Sequence, residues 1–183
     1  MNTAPAPATE AQRPVLRRVD CASCGSPFPL RAPGHSIHVA CPSCGALLDV
    51  NRPEVKVLEK ALRHQARPLG LPLGTRGRLR GHLWEVVGMM ARKDKASGYA
   101  WEEYLLFNPR QGFRFLVLAS GHWSLVRLSP RWPVQAKGGK TALQKGRSYA
   151  LYHKGTAVVT YVVGEFYWRV RVGEEVAVED YIA

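Results

Sequence analysis

The sequence predicts a mainly β protein in which a small cysteine-bearing ribbon precedes a larger antiparallel β-domain. Two observations predict this organisation. Four cysteines stand in two Cys-x-x-Cys pairs within residues 21–44, and from residue 71 onward short apolar runs alternate with polar residues and are broken by glycine. Such alternation between turn residues is typical of strands in an antiparallel barrel or sandwich. Between the two parts we expect one linking amphipathic helix.

Residues 1–14 form the first predicted segment, a disordered arm. They are rich in Ala, Pro and Thr, a composition that buries too little apolar surface to offset the entropy of ordering. No apolar run follows a basic start, so the arm does not resemble a secretory signal. We therefore expect a cytoplasmic protein, with the inner-membrane surface as one place where it could be peripheral.

Residues 15–50 are predicted to form a zinc ribbon. Its candidate ligands are Cys21, Cys24, Cys41 and Cys44, and sixteen residues separate the two pairs. This spacing is typical of two turns that supply four thiolates to one tetrahedral ion. A glycine follows each pair, at Gly25 and Gly45, and can adopt the positive φ that such a turn requires.

Other interpretations of the cysteines are less favoured. Two disulfides would need an oxidising compartment, and a thioredoxin-like site would need one pair at the start of a helix. The residues that follow each pair, from Ser26 and from Ala46, do not resemble a helix start. His35 and His38 lie between the pairs and could replace or add a ligand, although a structural zinc site with four thiolates is already closed.

Residues 51–70 are predicted to form the linking helix. Asn51 can cap it, and Pro68 with Gly70 can end it. Val55, Leu58 and Leu62 recur at helical spacing. On the same helical wheel a separate basic stripe is formed by Lys56, Lys60, Arg63 and Arg67. A solvated face is the simpler interpretation of this stripe, and a contact with phosphate or lipid headgroups is the alternative.

Residues 71–183 are predicted to form the β-domain. Its first half is a meander, in which strands follow one another through short turns. The expected strands are Arg76–Arg80, Leu83–Val87, Tyr99–Phe107, Phe113–Ala119 and Trp123–Leu128. After a looser stretch, further strands are expected at Ser148–His153, Thr156–Val163, Phe166–Val172 and Glu175–Ile182.

Several runs in this domain resemble a bacterial family, Domain of Unknown Function 4178. The strongest is Gly164–Val170, with Trp101–Pro109, Gly112–Val117 and Gly121–Trp123 beside it. The resemblance covers roughly Leu71–Ala183. It implies that a ribbon before the domain is common and that gene neighbourhoods often involve polyamine synthesis or envelope stress. It implies no established activity.

Three acids of the aromatic-rich strands are the only candidates for general acid and base catalysis. Glu102 and Glu103 are adjacent, so on a regular strand they face opposite ways, and a dyad would need Glu165 across the sheet. No nucleophile or metal motif accompanies them, which favours a structural role. A hydrolase that uses Glu165 is therefore the third functional hypothesis.

The charge and the aromatic residues suggest the function classes. The net charge is +12, and residues 71–150 contain fourteen Lys or Arg against four Asp or Glu. Such a field attracts anions. Tyr167 and Trp168 would face opposite ways on a strand, so one of these rings is predicted to be exposed. The residues proposed to bind a partner are Lys56, Lys60, Arg63, Arg67, Trp101, Glu165 and Trp168.

These observations favour a non-enzymatic adaptor that binds a protein partner or an anionic membrane surface. The alternative is a nucleic-acid-binding ribbon protein, in which exposed aromatic rings would stack on bases. The density of basic and aromatic positions is too low to favour that alternative.

Overall fold

A computed structural model describes residues 16–51, 54–60, 67–131, 133–135 and 139–183. The arm predicted over residues 1–14 lies outside this part of the chain. The described residues form no helix, and so none that could cross a membrane. Their strands are β1 (Arg17–Asp20), β2 (Pro27–Leu30), β3 (His38–Ala40), β4 (Leu47–Asp49), β5 (Lys56–Glu59), β6 (Arg76–Leu79), β7 (His82–Asp94), β8 (Ala100–Asn108), β9 (Gly112–Ala119), β10 (His122–Val126), β11 (Val134–Gln135), β12 (Thr141–Gln144), β13 (Arg147–Phe166) and β14 (Glu175–Ile182).

The strands of the described chain form a two-stranded sheet and one large sheet, and every pairing is antiparallel. β1 pairs with β2, and the path through the large sheet is β10-β9-β8-β7-β13-β3-β4-β5. The predicted mainly β, antiparallel class is therefore confirmed. The large sheet stays open, with β10 and β5 at its two ends, so it is not the closed barrel that was one of the two expected forms.

The linking helix predicted over residues 51–70 is wrong where the chain is described. Lys56–Glu59 form strand β5, which pairs with β4. Val55 and Val57 pack against the ribbon core, whereas Leu58 is 49% exposed. Valines two residues apart suit the period of a strand, and their branched side chains favour it. Tertiary packing of these two residues outweighs the apparent helical spacing of Val55 and Leu58.

Strand β13 is longer than the sequence predicts. Residues 147–166 form one strand of 20 residues, although Ser148–His153 and Thr156–Val163 were expected to be separate. It pairs with β12 and β14 in its first part and with β7 and β3 in its last. The strand predicted at Phe166–Val172 is wrong, because β13 ends at Phe166 and the chain then bends.

The predicted meander is confirmed and carries a core on both faces. β6 through β10 pair in chain order. Along β8, Tyr104 and Leu106 belong to one buried cluster, and Leu105 and Phe107 belong to another. Alternate residues point to opposite faces of a strand, so both sides of this sheet are covered. The meander therefore contributes to an apolar core on each face, which it shares with β13 and, on one face, with Ala32 and Ala40 of the ribbon.

Three hairpin turns of the domain share one backbone geometry. Arg80–Gly81, Ser120–Gly121 and Lys145–Gly146 all have positive φ at both residues. Two such residues make the type I′ turn, whose twist matches that of paired strands. The turn after β6 is thus one residue earlier than Gly81–His82, where the sequence suggested it.

Candidate metal centre and neighbouring polar sites

The two cysteine pairs lie in turns with the same backbone hydrogen bonds. Gly25 N–H donates to the Cys21 carbonyl and Gly45 N–H to the Cys41 carbonyl, each at 2.8 Å. Both glycines have positive φ, 73° and 70°. A side chain with a Cβ is strained in that conformation, so glycine after each pair lets the chain turn back under its two sulfurs. The two cysteine pairs therefore lie in two matching turns, as the sequence predicted.

The four sulfurs converge on one point. Their Sγ atoms all lie within 4.8 Å of one another. The closest pairs are Cys21 with Cys44 at 3.8 Å and Cys24 with Cys41 at 3.9 Å. A tetrahedral ion with metal–sulfur bonds of about 2.3 Å would hold its sulfurs about 3.8 Å apart. The four cysteines are thus placed to hold a metal ion, as the sequence predicted.

The environments of the four thiols differ. Cys21 and Cys41 are buried, Cys44 is half-buried and Cys24 is exposed. Burial raises the pKa of the Cys41 thiol to about 12, whereas a side-chain hydrogen bond with Ser26 lowers the pKa of Cys24 to about 6. A bound cation stabilises all four as thiolates, because coordination removes the proton of a thiol.

The two histidines between the cysteine pairs are not part of this group. The ring of His35 packs against that of Phe107, with centroids 5.1 Å apart. His38 is buried on β3, and burial lowers its pKa. Among the described residues the metal-ligating group consists of the four cysteines.

Glu165 attaches the ribbon to the β-domain. It is 2% exposed, and its carboxylate accepts hydrogen bonds from Arg31 N at 2.5 Å, Ala32 N at 2.9 Å and Ser36 Oγ at 2.8 Å. Burial raises the pKa of this carboxyl group, and the two backbone N–H donors oppose that shift. All three donors belong to the segment between β2 and β3. Glu165 therefore has a structural contact that its sequence position alone did not show.

Glu102 and Glu103 face different partners, as their adjacency on a strand predicts. Glu102 accepts hydrogen bonds from the Tyr104 hydroxyl at 2.5 Å and from Arg67. Glu103 accepts one from Trp101 Nε1 at 2.8 Å and lies 3.3 Å from Arg92 Nε. Neither is hydrogen-bonded to Glu165 in the described structure. The three acids are held by separate local partners.

Sequence reasoning missed a buried acid at Glu85. It is 6% exposed and pairs with Arg31 at 2.7 Å and Arg76 at 2.8 Å. Arg31 belongs to the ribbon and Arg76 to β6, so this carboxylate joins the two parts a second time. The sequence did contain a signal for this residue, because Glu85 is the one acid inside the apolar run of residues 83–87. An acid buried in such a run needs a cationic or hydrogen-bonding partner.

The predicted basic stripe does not form one helical face. Lys56 and Lys60 are exposed on or beside β5, Arg67 pairs with Glu102, and Arg63 lies outside the described residues. Trp101 is half-buried and stacks on Tyr99. Among the described residues of the predicted set, Arg67 lies beside the strand of Trp101 through its ion pair with Glu102.

Trp168 is also not the exposed ring that was predicted. Tyr167 and Trp168 follow β13 and are both half-buried, with ring centroids 4.7 Å apart. Trp168 packs edge to face on Phe166 at 5.1 Å, and both rings lie against the core. The expectation of opposite faces assumed a regular strand, and the chain bends at these residues instead.

Comparison with known protein families identifies the family to which this chain belongs. The family described as Domain of unknown function (DUF4178) matches residues 72–183, more than half of the chain. The chain belongs to the DUF4178 family. The match confirms the resemblance seen in the sequence and begins just after the ribbon and β5, so the cysteine group precedes the DUF4178 domain. No curated protein and no solved structure matches the chain.

Proposed function

We propose that this protein is a non-enzymatic adaptor in which a structural zinc ion rigidifies the ribbon and the open sheet receives a protein partner or an anionic membrane surface. The observation that carries the proposal is the state of the two end strands of the large sheet. β5 and β10, at the two ends of the main path, each leave one edge unpaired within the described chain, as do β6, β11 and β14, which branch from that path. Unpaired sheet edges and exposed apolar groups are features of binding surfaces.

Zinc is proposed for the cysteine group because of its donor set. Four thiolates at the corners of a tetrahedron suit zinc, and a site closed by four protein ligands is typical of a structural ion. Iron can occupy the same donor set, so the metal must be measured. Elemental analysis of protein purified without chelators should find one zinc per chain, and iron in its place would contradict this part of the proposal.

The side chains of the end strands suit an anionic or amphipathic partner. On and beside β5, Lys56, Leu58 and Lys60 are exposed. On β10, Trp123 is 44% and Val126 40% exposed, and Leu128 just beyond is 58% exposed. Cations beside apolar groups can bind an anionic surface both by charge and by burial of the apolar groups.

The contacts of the candidate acids support an adaptor over a hydrolase. Glu165 is occupied by three donors of the ribbon, and Glu102 and Glu103 by side chains of their own neighbourhood. A general base needs an open approach to the proton that it removes. The half-burial of Trp101 and Trp168 likewise gives the nucleic-acid alternative no free stacking platform at those two rings.

The test is co-sedimentation with vesicles of phosphatidylcholine alone and with added phosphatidylglycerol, at low and physiological salt. Salt-dependent association that Leu58→Asp or Val126→Asp removes would support the membrane form of the proposal. Tyr152→Asp is the control, because Tyr152 is 73% exposed on β13, away from both end strands. No association with either kind of vesicle would leave a protein partner as the proposed ligand.

A parallel fluorescence titration with a short single-stranded oligonucleotide tests the nucleic-acid alternative. The adaptor proposal expects weak binding that salt abolishes, since only charge would contribute. Tight binding at physiological salt that is lost on Trp168→Ala or Trp123→Ala would contradict the adaptor and favour nucleic acid.

A further inference from the structure

A cavity of about 320 Å³ opens at the end of the meander that carries the β6–β7 and β8–β9 turns. The polar and aromatic residues that line it are Arg80, Arg114, Arg127, His82, Trp84 and Gln111, beside the apolar Leu125. They come from four places in the sequence: the turn after β6, β7, the start of β9 with the turn before it, and β10 with the residue just beyond it. The meander therefore gathers side chains that are far apart in the sequence.

The floor of the cavity is fixed by Trp84. This ring is 5% exposed, and its Nε1 donates to the Leu79 carbonyl at 3.3 Å. The guanidinium of Arg114 lies 5.7 Å from the centre of the Trp84 ring, within the range of a cation–π contact. Arg114 Nη1 also donates to the Phe113 carbonyl at 2.6 Å. One cation of the cavity is thus held in place without a carboxylate.

The lining carries an uncompensated positive charge. Arg80, Arg114 and Arg127 line the cavity, and no acidic residue among those that the structure describes does so. Within the described chain none of these three forms an ion pair. Other arginines of the same sheet do so: Arg76 pairs with Glu85 and Arg92 with Glu103. Three guanidinium groups around one space repel one another, and a bound anion would remove that repulsion.

We propose that this cavity binds a phosphomonoester group. Guanidinium is planar and presents paired N–H donors that match the oxygens of phosphate. A phosphomonoester has three terminal oxygens and a charge near −2 at neutral pH, whereas a phosphodiester carries a single charge. Three guanidinium groups therefore favour the monoester. The volume lies at the low end for small-molecule sites, so the ligand is a small phosphorylated molecule or the headgroup of a lipid.

The experiment compares a monoester with a diester of the same alcohol. Calorimetric titration with glycerol 3-phosphate at about 0.1 M salt should show binding, and glycerophosphoglycerol, a diester with a single negative charge, should bind more weakly. Arg80→Gln and Arg127→Gln should each weaken the monoester about tenfold, as expected for loss of one charge-assisted hydrogen bond. Both arginines are exposed, so neither substitution should disturb the fold.

Arg147→Gln is the matched control. Arg147 is exposed at the start of β13 and does not line the cavity, so its loss changes net charge equally. Affinity in this variant, measured at the same salt, should stay within about twofold of the wild type, because charges more than about 10 Å away are then largely screened. A monoester that binds no better than the diester, or an equal loss in Arg147→Gln, would overturn the proposal.

Vesicles distinguish the two sources of the ligand. Phosphatidic acid presents a monoester headgroup and phosphatidylglycerol a diester. Preference for phosphatidic acid vesicles that Arg127→Gln removes would assign the cavity to a lipid headgroup. Binding of glycerol 3-phosphate without that preference would assign it to a soluble ligand. Association with phosphatidylglycerol but no monoester preference in either arm would overturn this inference and leave the adaptor proposal standing.

Discussion

The ribbon and the meander are each stabilised in a different way. The buried residues of the ribbon include two of its candidate metal ligands, Cys21 and Cys41, and its strands are only three or four residues long. The meander has strands of up to 13 residues and a buried cluster on each face. A region as small as the ribbon cannot bury enough apolar surface to fold by itself. A metal ion can supply the missing free energy.

The ribbon is nevertheless joined to the β-domain, through β13 and β7, by shared polar contacts. β3 of the ribbon pairs with the last three residues of β13, and Glu165 and Glu85 accept hydrogen bonds from ribbon residues. The candidate metal-binding ribbon is thereby fixed against the sheet of the β-domain. We infer that the metal holds the position of the ribbon on the sheet rather than the fold of the sheet.

The largest expected effect comes from removing the metal. Cys41→Ser, or a strong chelator, should unfold the ribbon, because structural zinc contributes about 10–16 kcal/mol in small modules. Hydrogen exchange should then show lost protection over residues 17–50 and retained protection in β7 to β9. Unchanged protection of the ribbon would contradict a structural metal. Loss over the whole chain would show that the meander also depends on the metal.

The next effect tests the joint between the two regions. Glu165→Gln should lower the free energy of unfolding by about 3 kcal/mol, since the amide keeps one acceptor oxygen and turns its NH2 group, a donor, toward the N–H of either Arg31 or Ala32. Chemical denaturation measures the change. Glu175→Gln is the control, because Glu175 is exposed and pairs with Lys95 at the surface. An equal effect of the two substitutions would show that Glu165 does not stabilise the contact between the ribbon and the β-domain.

A smaller effect is expected where β7 and β13 pair at Gly88 and Gly164. A Cβ added at Gly88 would lie 2.3 Å from the backbone oxygen of Glu165, so Gly88→Ala must push the strands apart. Overpacking of this kind costs about 2 kcal/mol. Gly77→Ala on β6 is the matched control, since nothing lies within 4 Å of its added Cβ. Thermal unfolding should show a lower Tm for Gly88→Ala alone.

The smallest effect concerns a turn outside both cores. Lys145 has φ of 50° in the turn before β13, a conformation that Asn tolerates better than Lys. Lys145→Asn should raise the free energy of unfolding by about 0.5 kcal/mol. Lys140→Asn, at a residue without positive φ, should not. A destabilised Lys145→Asn variant would show that the lysine side chain has a role that its backbone does not explain.

Much of the fold could be predicted from the sequence because the signals are local. The spacing of Cys21, Cys24, Cys41 and Cys44, with a glycine after each pair, determines both the turns and the convergence of the sulfurs. Alternating apolar residues and turn glycines likewise determine the meander from β6 to β10. Each of these patterns determines the local structure within a few residues, so its effect does not depend on where the rest of the chain lies.

The rest was decided by contacts between distant segments. Val57 lies in strand β5, with Val55 just before it, because the ribbon core and β4 are there to receive both side chains, and helical spacing cannot reveal that core. Trp168 is half-buried because β13 ends at Phe166 and the chain folds the ring onto the core. Arg80, Arg114 and Arg127 share a cavity only after β6, β9 and β10 are aligned in one sheet. Register between strands depends on packing across the whole sheet, so sequence position alone does not specify which side chains meet.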